Sequence, residues 1–275
     1  MRGRYSNYAV YCDVDGTLTN SEGIVSEENK AAVKRFTEEG GKFSIASGRS
    51  PENVKKLGLK INAPCIFRNG AVIEDIHEHR ILRSVFMPDG ALEMACRLYE
   101  MFPDAGIVIC TEKDYQWLRR GPYYKDVPLE KEDMLVSADQ LESGMPVYIV
   151  SVSGKNHEDA EVKRFVEHEY PQFYAYSSYP GFIDITSFET SKGECLKILA
   201  KNDTRISIAC GDGENDIGMI RNADYGIAVG NACDVLKMNA DFVIQDRDHH
   251  AMVQILQMIN EGKFDRKACT SDVHE

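Results

Sequence analysis

Two apolar segments, far apart along the chain, each end in a cluster of acidic residues. Ala9–Cys12 runs into Asp13-Val-Asp15-Gly-Thr17, and Arg205–Cys210 runs into Gly-Asp212-Gly-Glu-Asn215-Asp216. A short, continuously apolar segment is typical of a strand buried on both faces of a parallel sheet. Because open α/β sheets bind ligands at the carboxyl ends of their strands, both clusters are expected at one ligand-binding edge.

The rest of the chain supports a parallel α/β core that is interrupted once. Strands and helices alternate before residue 85 and after residue 187, which indicates a doubly wound, Rossmann-like parallel sheet. Between them lies a mixed pattern of helices and strands, with a loop rich in Tyr and Pro after Cys110. We therefore expect a discontinuous core of residues 1–85 and 187–275, with residues 86–186 inserted as an α+β cap.

Composition excludes several classes of function. Acidic residues outnumber basic ones 44 to 32, which gives a formal charge of −12 without any basic cluster, so nucleic-acid and anionic-membrane partners are not expected. The amino terminus lacks an apolar signal region, and no segment has the length of a membrane span. The eight cysteines form no Cys-x-x-Cys pair. They are interpreted as free thiols, and the chain as cytoplasmic.

The acid clusters predict a metal site. Three or four carboxylates brought together would repel one another, and Mg²⁺, a hard ion that prefers oxygen ligands, relieves that repulsion. A calcium-binding loop is the first alternative, but with Asp13 or Asp212 counted as position 1, the twelfth position is Ile24 or Ala223, where a bidentate Glu is needed. The second alternative is a solvated acidic turn, which the presence of two clusters at two strand ends disfavours.

Three further features are candidates for binding an anion. Ser47-Gly48 offers a hydroxyl and a backbone N–H just before a helix, which suits a phosphoryl oxygen. Lys192 opens a predicted helix, where a cation is unfavourable unless it faces an anion. Asn69-Gly70 is first of all a hairpin signal, with ligand binding as its second interpretation. The nucleotide-binding motifs Gly-x-x-x-x-Gly-Lys-[Ser/Thr] and Gly-x-Gly-x-x-Gly are absent, as is the Gly-x-Ser-x-Gly elbow.

Taken together, these motifs resemble the haloacid dehalogenase superfamily, and their spacing resembles its Cof-type, sugar-phosphatase-like subgroup. The resemblance is carried by Asp13-Val-Asp15-Gly-Thr17, Ser47 in Ala-Ser-Gly-Arg, Lys192 in Ser-Lys-Gly and Gly-Asp212-Gly-Glu-Asn215-Asp216. It implies a Mg²⁺-dependent phosphatase acting on small phosphate monoesters. Sugar phosphates are favoured as substrates, and phosphoglycolate and pyridoxal phosphate remain open.

The resemblance also implies a role for each residue. Asp13 would be the nucleophile that forms an aspartyl-phosphate, and Asp15 the general acid and base. Mg²⁺ would be held by Asp13, Asp212 and the backbone carbonyl of Asp15, with Asp216 orienting a coordinated water. The phosphoryl-binding residues would be Lys192, Ser47, Gly48, Asn69, Gly70 and Asn215, with Asn215 fixing either Lys192 or the phosphate.

Two other functions remain open at this point. A sugar phosphomutase would use the same acids, and a non-catalytic sensor of a phosphorylated ligand would bind without turnover. The partner in each case is a small phosphorylated metabolite, and the sequence does not indicate the oligomeric state. In the cap, Trp117, Tyr123, Tyr124 and Arg119-Arg120 are expected either to meet the leaving group or to form the core and rim of the cap itself.

Overall fold

The computed structural model describes residues 3–113, 115–124, 133–154, 159–179 and 181–264. Its central sheet contains five parallel strands in the order β14-β13-β12-β1-β2. These strands are β1 (Tyr8–Cys12), β2 (Lys42–Ile45), β12 (Ile206–Gly211), β13 (Tyr225–Ala228) and β14 (Phe242–Val243). The two strands that carry the acid clusters, β1 and β12, are neighbours at the centre of the sheet, so the expected parallel α/β core is confirmed.

Helices cover this sheet. Those of the core are α1 (Glu27–Glu38), α2 (Pro51–Lys55), α6 (Lys192–Ala200), α7 (Ile217–Asn222), α8 (Asp234–Asn239) and α9 (Ala251–Asn260). Helix α1 packs with α9, and α6 packs with α7. Helix α1 has a capped start, because the Ser26 side chain accepts a hydrogen bond from the Asn29 N–H and two acidic residues lie in the first turn.

The inserted segment forms a second, six-stranded sheet in the order β10-β11-β9-β6-β7-β8. Its strands are β6 (Gly106–Thr111), β7 (Tyr115–Arg119), β8 (Asp133–Leu135), β9 (Val147–Ser153), β10 (Phe173–Tyr179) and β11 (Phe182–Ser187), and its helices are α3 (Ala91–Met101), α4 (Gly121–Tyr124) and α5 (Asp159–Glu169). Met94, Leu98, Val150 and Val166 belong to a hydrophobic cluster of its own. We refer to this sheet as the cap sheet.

The expected loop after Cys110 is wrong over residues 115–119, which form β7. This strand pairs with β6, and both Trp117 and Leu118 are buried. The residues of this segment favour a strand, but a strand forms only where a partner is available. That partner is β6, and the local sequence does not reveal the pairing.

A small antiparallel sheet links the core to the cap sheet. It consists of β3 (Cys65–Phe67), β4 (Val72–Asp75) and β5 (Arg80–Ser84). Residues Arg68–Gly70 form a 3₁₀ turn between β3 and β4, so the interpretation of Asn69-Gly70 as a hairpin turn is confirmed.

Within the described residues, no helix is long and apolar enough to cross a membrane. The seven cysteines in that part of the chain are free.

Candidate active site

The site forms where the two central strands end side by side. Cys12 of β1 lies opposite Cys210 of β12, so the residues that follow each strand leave the sheet at the same edge. Asp13, Asp212 and Asp216 each present a carboxylate oxygen, and these atoms lie within 4.8 Å of one another. The acid clusters of two distant motifs are thus brought together as expected.

Lys192 lies beneath these acids. Its side chain is 1% exposed, and its Nζ donates to Asp13 Oδ1 at 2.6 Å and to Asp216 Oδ1 at 2.7 Å. Burial lowers the pKa of Lys192, but the two carboxylates outweigh it and raise the pKa above its usual value. The lysine at the start of α6 therefore faces anions, as its unfavourable position on the helix predicts.

One ammonium does not balance three carboxylates. Burial raises the pKa of Asp13 well above its usual range, with Lys192 opposing the shift and Asp216 and Asp212 adding to it. Burial, followed by the charge of Asp216, raises the pKa of Asp212 to about 7. The cluster therefore retains a proton near neutral pH unless a cation takes its place. Clustered carboxylate oxygens are the donor set that a hard divalent cation prefers.

The loops after β1 and β12 hold each other in place. Thr17 is fully buried, and its hydroxyl donates to Asp212 Oδ1 at 3.0 Å. Gly16 has φ +81, and a Cβ at this position would lie 2.2 Å from Asp212 Oδ2. Asp216 Oδ2 accepts the backbone N–H groups of Asp212 at 3.0 Å and Gly213 at 3.1 Å. These contacts fix the Asp212 carboxylate against the Asp13 loop.

The side chain of Asp15 lies apart from the three clustered carboxylates. Arg49 binds it through two hydrogen bonds, Nη2 to Oδ1 at 2.6 Å and Nε to Oδ2 at 2.8 Å. The Asp15 side chain is 55% exposed, so the ion pair is weakened by solvent. Arg49 directly follows Ser47-Gly48, but no role could be assigned to it from the sequence, because its partner Asp15 lies on a different loop.

The loop after β2 and the turn after β3 form the opposite wall. Ser47 is buried, and its Oγ accepts the Arg49 backbone N–H at 3.2 Å. A Cβ on Gly48 would lie 3.1 Å from the Asn69 side chain, so glycine allows the two loops to approach closely. Gly70 lies against the Ser191 backbone, which a Cβ would approach to 2.4 Å. Gly70 thus packs under the start of α6.

Asn215 was expected to fix Lys192 or the phosphate, and the structure gives it a different protein partner. Its Nδ2 donates to Asn69 Oδ1 at 3.1 Å, while the Lys192 ammonium donates to the two aspartates. Asn69 Nδ2 in turn donates to Asp184 Oδ2 at 2.8 Å. Asp184 belongs to β11 of the cap sheet. It was not selected from the sequence, because no neighbouring motif indicates a buried carboxylate at this position.

A cavity of about 580 Å³ lies between the core loops and the cap sheet. From the core, its walls include Asp13, Asp15, Gly48, Arg49, Asn69, Asp212, Asn215 and Arg247, and from the cap sheet Val108, Tyr115, Trp117, Ser151, Ser153, Ser178, Phe182 and Asp184. Trp117 thus lies where a leaving group could contact it. Arg119 instead donates to the backbone carbonyls of Tyr99, Phe102 and Ala105, so it belongs to the body of the cap. The side chains of Tyr123 and Tyr124 lie outside the described residues.

This fold and site define a class of protein: a parallel, Rossmann-like α/β core with an acidic, lysine-bridged cluster at the carboxyl edge of its sheet. The family model for haloacid dehalogenase-like hydrolases matches residues 10–256. The chain belongs to this family, which confirms the resemblance seen in the motifs and the prediction that the chain is an enzyme.

Known proteins that are similar to this chain match it over nearly its whole length. The Bacillus subtilis 5-amino-6-(5-phospho-D-ribitylamino)uracil phosphatase YwtE is 24% identical over 282 residues, covering 92% of this chain and 98% of that protein. The Escherichia coli pyridoxal phosphate phosphatase YbhA is 26% identical over 263 residues, covering 89% and 95%. Among solved structures, a haloacid dehalogenase-like hydrolase from B. subtilis has a TM-score of 0.78 at 24% identity, covering 90% of this chain and 98% of that one. A sugar phosphatase of haloacid dehalogenase subclass IIB has a TM-score of 0.77 at 21% identity, covering 92% and 98%.

Proposed function

We propose that this protein is a Mg²⁺-dependent phosphatase that hydrolyses small phosphate monoesters through an aspartyl-phosphate on Asp13. The observation that carries the proposal is the contact of one buried lysine with Asp13 and Asp216, beside Asp212, at the edge of a ligand-sized cavity. Phosphoryl transfer depends mainly on positioning and charge neutralisation, and these residues supply both.

In the first half-reaction, a carboxylate oxygen of Asp13 attacks phosphorus as the ester P–O bond breaks. Lys192 supports this role, because its hydrogen bond to Asp13 Oδ1 orients the carboxylate and leaves Oδ2 for the attack. Asp15 gives its proton to the leaving alkoxide. Its half-exposed ion pair with Arg49 is weak enough to be exchanged when a substrate enters.

In the second half-reaction, Asp15 takes a proton from a water molecule, which attacks the phosphorus of the aspartyl-phosphate. Inorganic phosphate leaves, and Asp13 is regenerated with Asp15 again protonated. Ser47, the Gly48 N–H, Asn69, Gly70, Asn215 and Lys192 are proposed to surround the transferring group in both steps. The side-chain contacts between Asn69 and Asn215 support a shared role for these two.

Asp13, Asp212 and the backbone carbonyl of Asp15 are the proposed metal ligands, with Asp216 holding the loop and a coordinated water. When bound, Mg²⁺ would neutralise charge on the phosphoryl oxygens and on the acids. The raised pKa values of Asp13 and Asp212 support a site that requires a cation. Residues 86–186 are proposed to act as the cap, and its Trp117 and serine side chains suit a hydroxylated leaving group such as a sugar. The cytoplasmic location stays a prediction.

The test is phosphate release from a panel of metabolite esters, with and without Mg²⁺. The panel includes hexose phosphates, pyridoxal phosphate and phosphoglycolate. Asp13→Asn is expected to abolish turnover while the unfolding transition remains cooperative, and wild-type kcat in this variant would refute the assignment of the nucleophile. Analysis of the products separates the alternative of a phosphomutase, which would isomerise a sugar phosphate without releasing phosphate.

A further inference from the structure

One row of residues crosses the cap sheet and faces the cavity. Trp117 lies opposite Val108, Val108 opposite Ser151, and Ser151 opposite Asp184. All four line the cavity. The part of this row that lines the cavity ends, on its β11 side, in an acidic side chain that is only 8% exposed.

Asp184 has hydrogen-bond partners on both of its oxygens. Ser151 donates to Oδ1, and Asn69 Nδ2 donates to Oδ2 at 2.8 Å. The second bond crosses from the cap sheet to the turn between β3 and β4, which belongs to the core side of the cavity. Asp184 thus joins the wall of the cavity to the loop that carries Asn69.

The chain of hydrogen bonds continues towards the acid cluster. Asn69 Oδ1 accepts from Asn215 Nδ2 at 3.1 Å. Asn215 directly precedes Asp216, whose carboxylate binds Lys192 at 2.7 Å. A continuous path of side-chain contacts and one peptide link therefore connects the cap sheet to the lysine beside Asp13.

Asp184 decides which way the Asn69 amide points. Asp184 accepts a hydrogen bond on each of its oxygens, so it faces the NH₂ end of an amide and not the carbonyl end. With Nδ2 held by Asp184, Oδ1 is presented to Asn215. Asn69 has little freedom to compensate, because it is 3% exposed, its backbone has φ 54, and Gly48 approaches its side chain closely.

We propose that Asp184 is a positioning residue. Its hydrogen bond fixes the orientation of Asn69, and through Asn69 that of Asn215, around the phosphoryl group. The same bond joins the cap sheet to the core loop that carries Asn69. This inference rests on the proposed phosphatase function. Asp184 itself does not contact the reacting atoms. It holds Asn69 and Asn215, which are proposed to make such contacts.

The experiment is a double-mutant cycle on kcat/KM with the best ester of the panel. Asp184→Leu removes both acceptors while keeping a side chain that branches at Cγ, and Asn69→Ala removes the group through which Asp184 is proposed to act. Loss of one such hydrogen bond is expected to lower kcat/KM about tenfold in Asp184→Leu. The double variant should match Asn69→Ala within about twofold, because Asp184 has nothing left to orient.

Two further variants separate positioning from folding. Thr186→Val lies two residues further along β11, is fully buried and keeps the shape of the side chain, so it should leave kcat/KM unchanged. Asp184→Asn keeps an acceptor for Asn69 and is expected to stay within about threefold of wild type. It also provides a folded variant if the leucine variant does not fold. Melting temperatures are measured for every variant.

The outcomes are distinct. Wild-type kcat/KM in Asp184→Leu would overturn the positioning role. So would a double variant whose loss equals the product of the two single losses, or a folded Asp184→Asn variant as impaired as Asn69→Ala. If the wild-type chain itself releases no phosphate from any ester, the proposed phosphatase function fails first, and the two failures are distinguishable.

Discussion

Replacing Lys192 by Met tests how the acid cluster is held in the absence of metal. The methionine side chain fills the space of the lysine stem, but it leaves Asp13 and Asp216 without the ammonium that lies 2.6 and 2.7 Å from them. Removing one partner from a buried ion pair costs roughly 3–5 kcal/mol, because the remaining charge is buried without compensation. For a chain of this size, that corresponds to a fall in Tm of about 10 °C.

The loss should depend on pH in one direction. Burial already raises the pKa of Asp13, and Lys192 opposes that shift, so without Lys192 the pKa of Asp13 moves further above its unfolded value and the folded state binds a proton more tightly. Such groups stabilise the fold at low pH, and that contribution is lost as pH rises through the raised pKa. The deficit of Lys192→Met should therefore be larger at about pH 8 than at about pH 5.

The assay is chemical denaturation in a chelator-containing buffer, so that no metal replaces the lysine. Lys197→Met is the matched control, because it lies on the same helix with its side chain 53% exposed, and its exposed pair with Glu194 is worth less than about 1 kcal/mol. The free energy of unfolding of the control should lie within about 1 kcal/mol of wild type at about pH 8. If that of Lys192→Met did so too, the inference that this lysine holds the cluster would be refuted. Its kcat is expected to fall at least about 100-fold.

Three more predictions concern the metal site. Because the pKa of Asp212 is raised to about 7, its proton competes with the cation, so the rise in Tm on adding Mg²⁺ should be larger at about pH 8.5 than at about pH 5.5, and equal rises would contradict competition. Thr17→Val removes the hydroxyl that donates to Asp212 and should weaken Mg²⁺ binding by calorimetry about tenfold, whereas an unchanged affinity would show that this hydrogen bond is dispensable. Gly16→Ala should destabilise the chain by more than Gly23→Ala, since both glycines have positive φ but only at Gly16 would the new Cβ meet Asp212; equal changes in the free energy of unfolding would leave backbone strain as the whole effect.

The sequence was sufficient for those parts of the site that follow directly from strand ends. Asp13 and Asp212 lie where buried apolar strands stop, so their meeting could be predicted from the rule that parallel strands share a ligand-binding edge. Lys192 could be predicted to face an anion, because a cation at the positive end of a helix is unfavourable without one.

Contacts between segments with no local signature could not be predicted. Asp184 is one polar residue in an otherwise ordinary strand, and its bond to Asn69 depends on how the cap sheet lies over the core. The pair of Arg49 with Asp15 likewise joins two loops through exposed side chains. Strand β7 was missed because its partner β6, and not its own sequence, determines its conformation.

The central claim is that the carboxylate of Asp13 attacks phosphorus, and trapping the intermediate tests it most directly. An Asp15→Asn variant lacks the base that activates water, and the substrate is p-nitrophenyl phosphate, whose leaving group departs without a general acid. The variant is mixed with this ester and Mg²⁺, quenched in acid and digested for mass spectrometry. We expect one phosphoryl group on the peptide that contains Asp13, and none when Asp13→Asn is added to the same variant. A phosphoryl group on another residue, or phosphate release at wild-type rate with no labelled peptide, would contradict the claim.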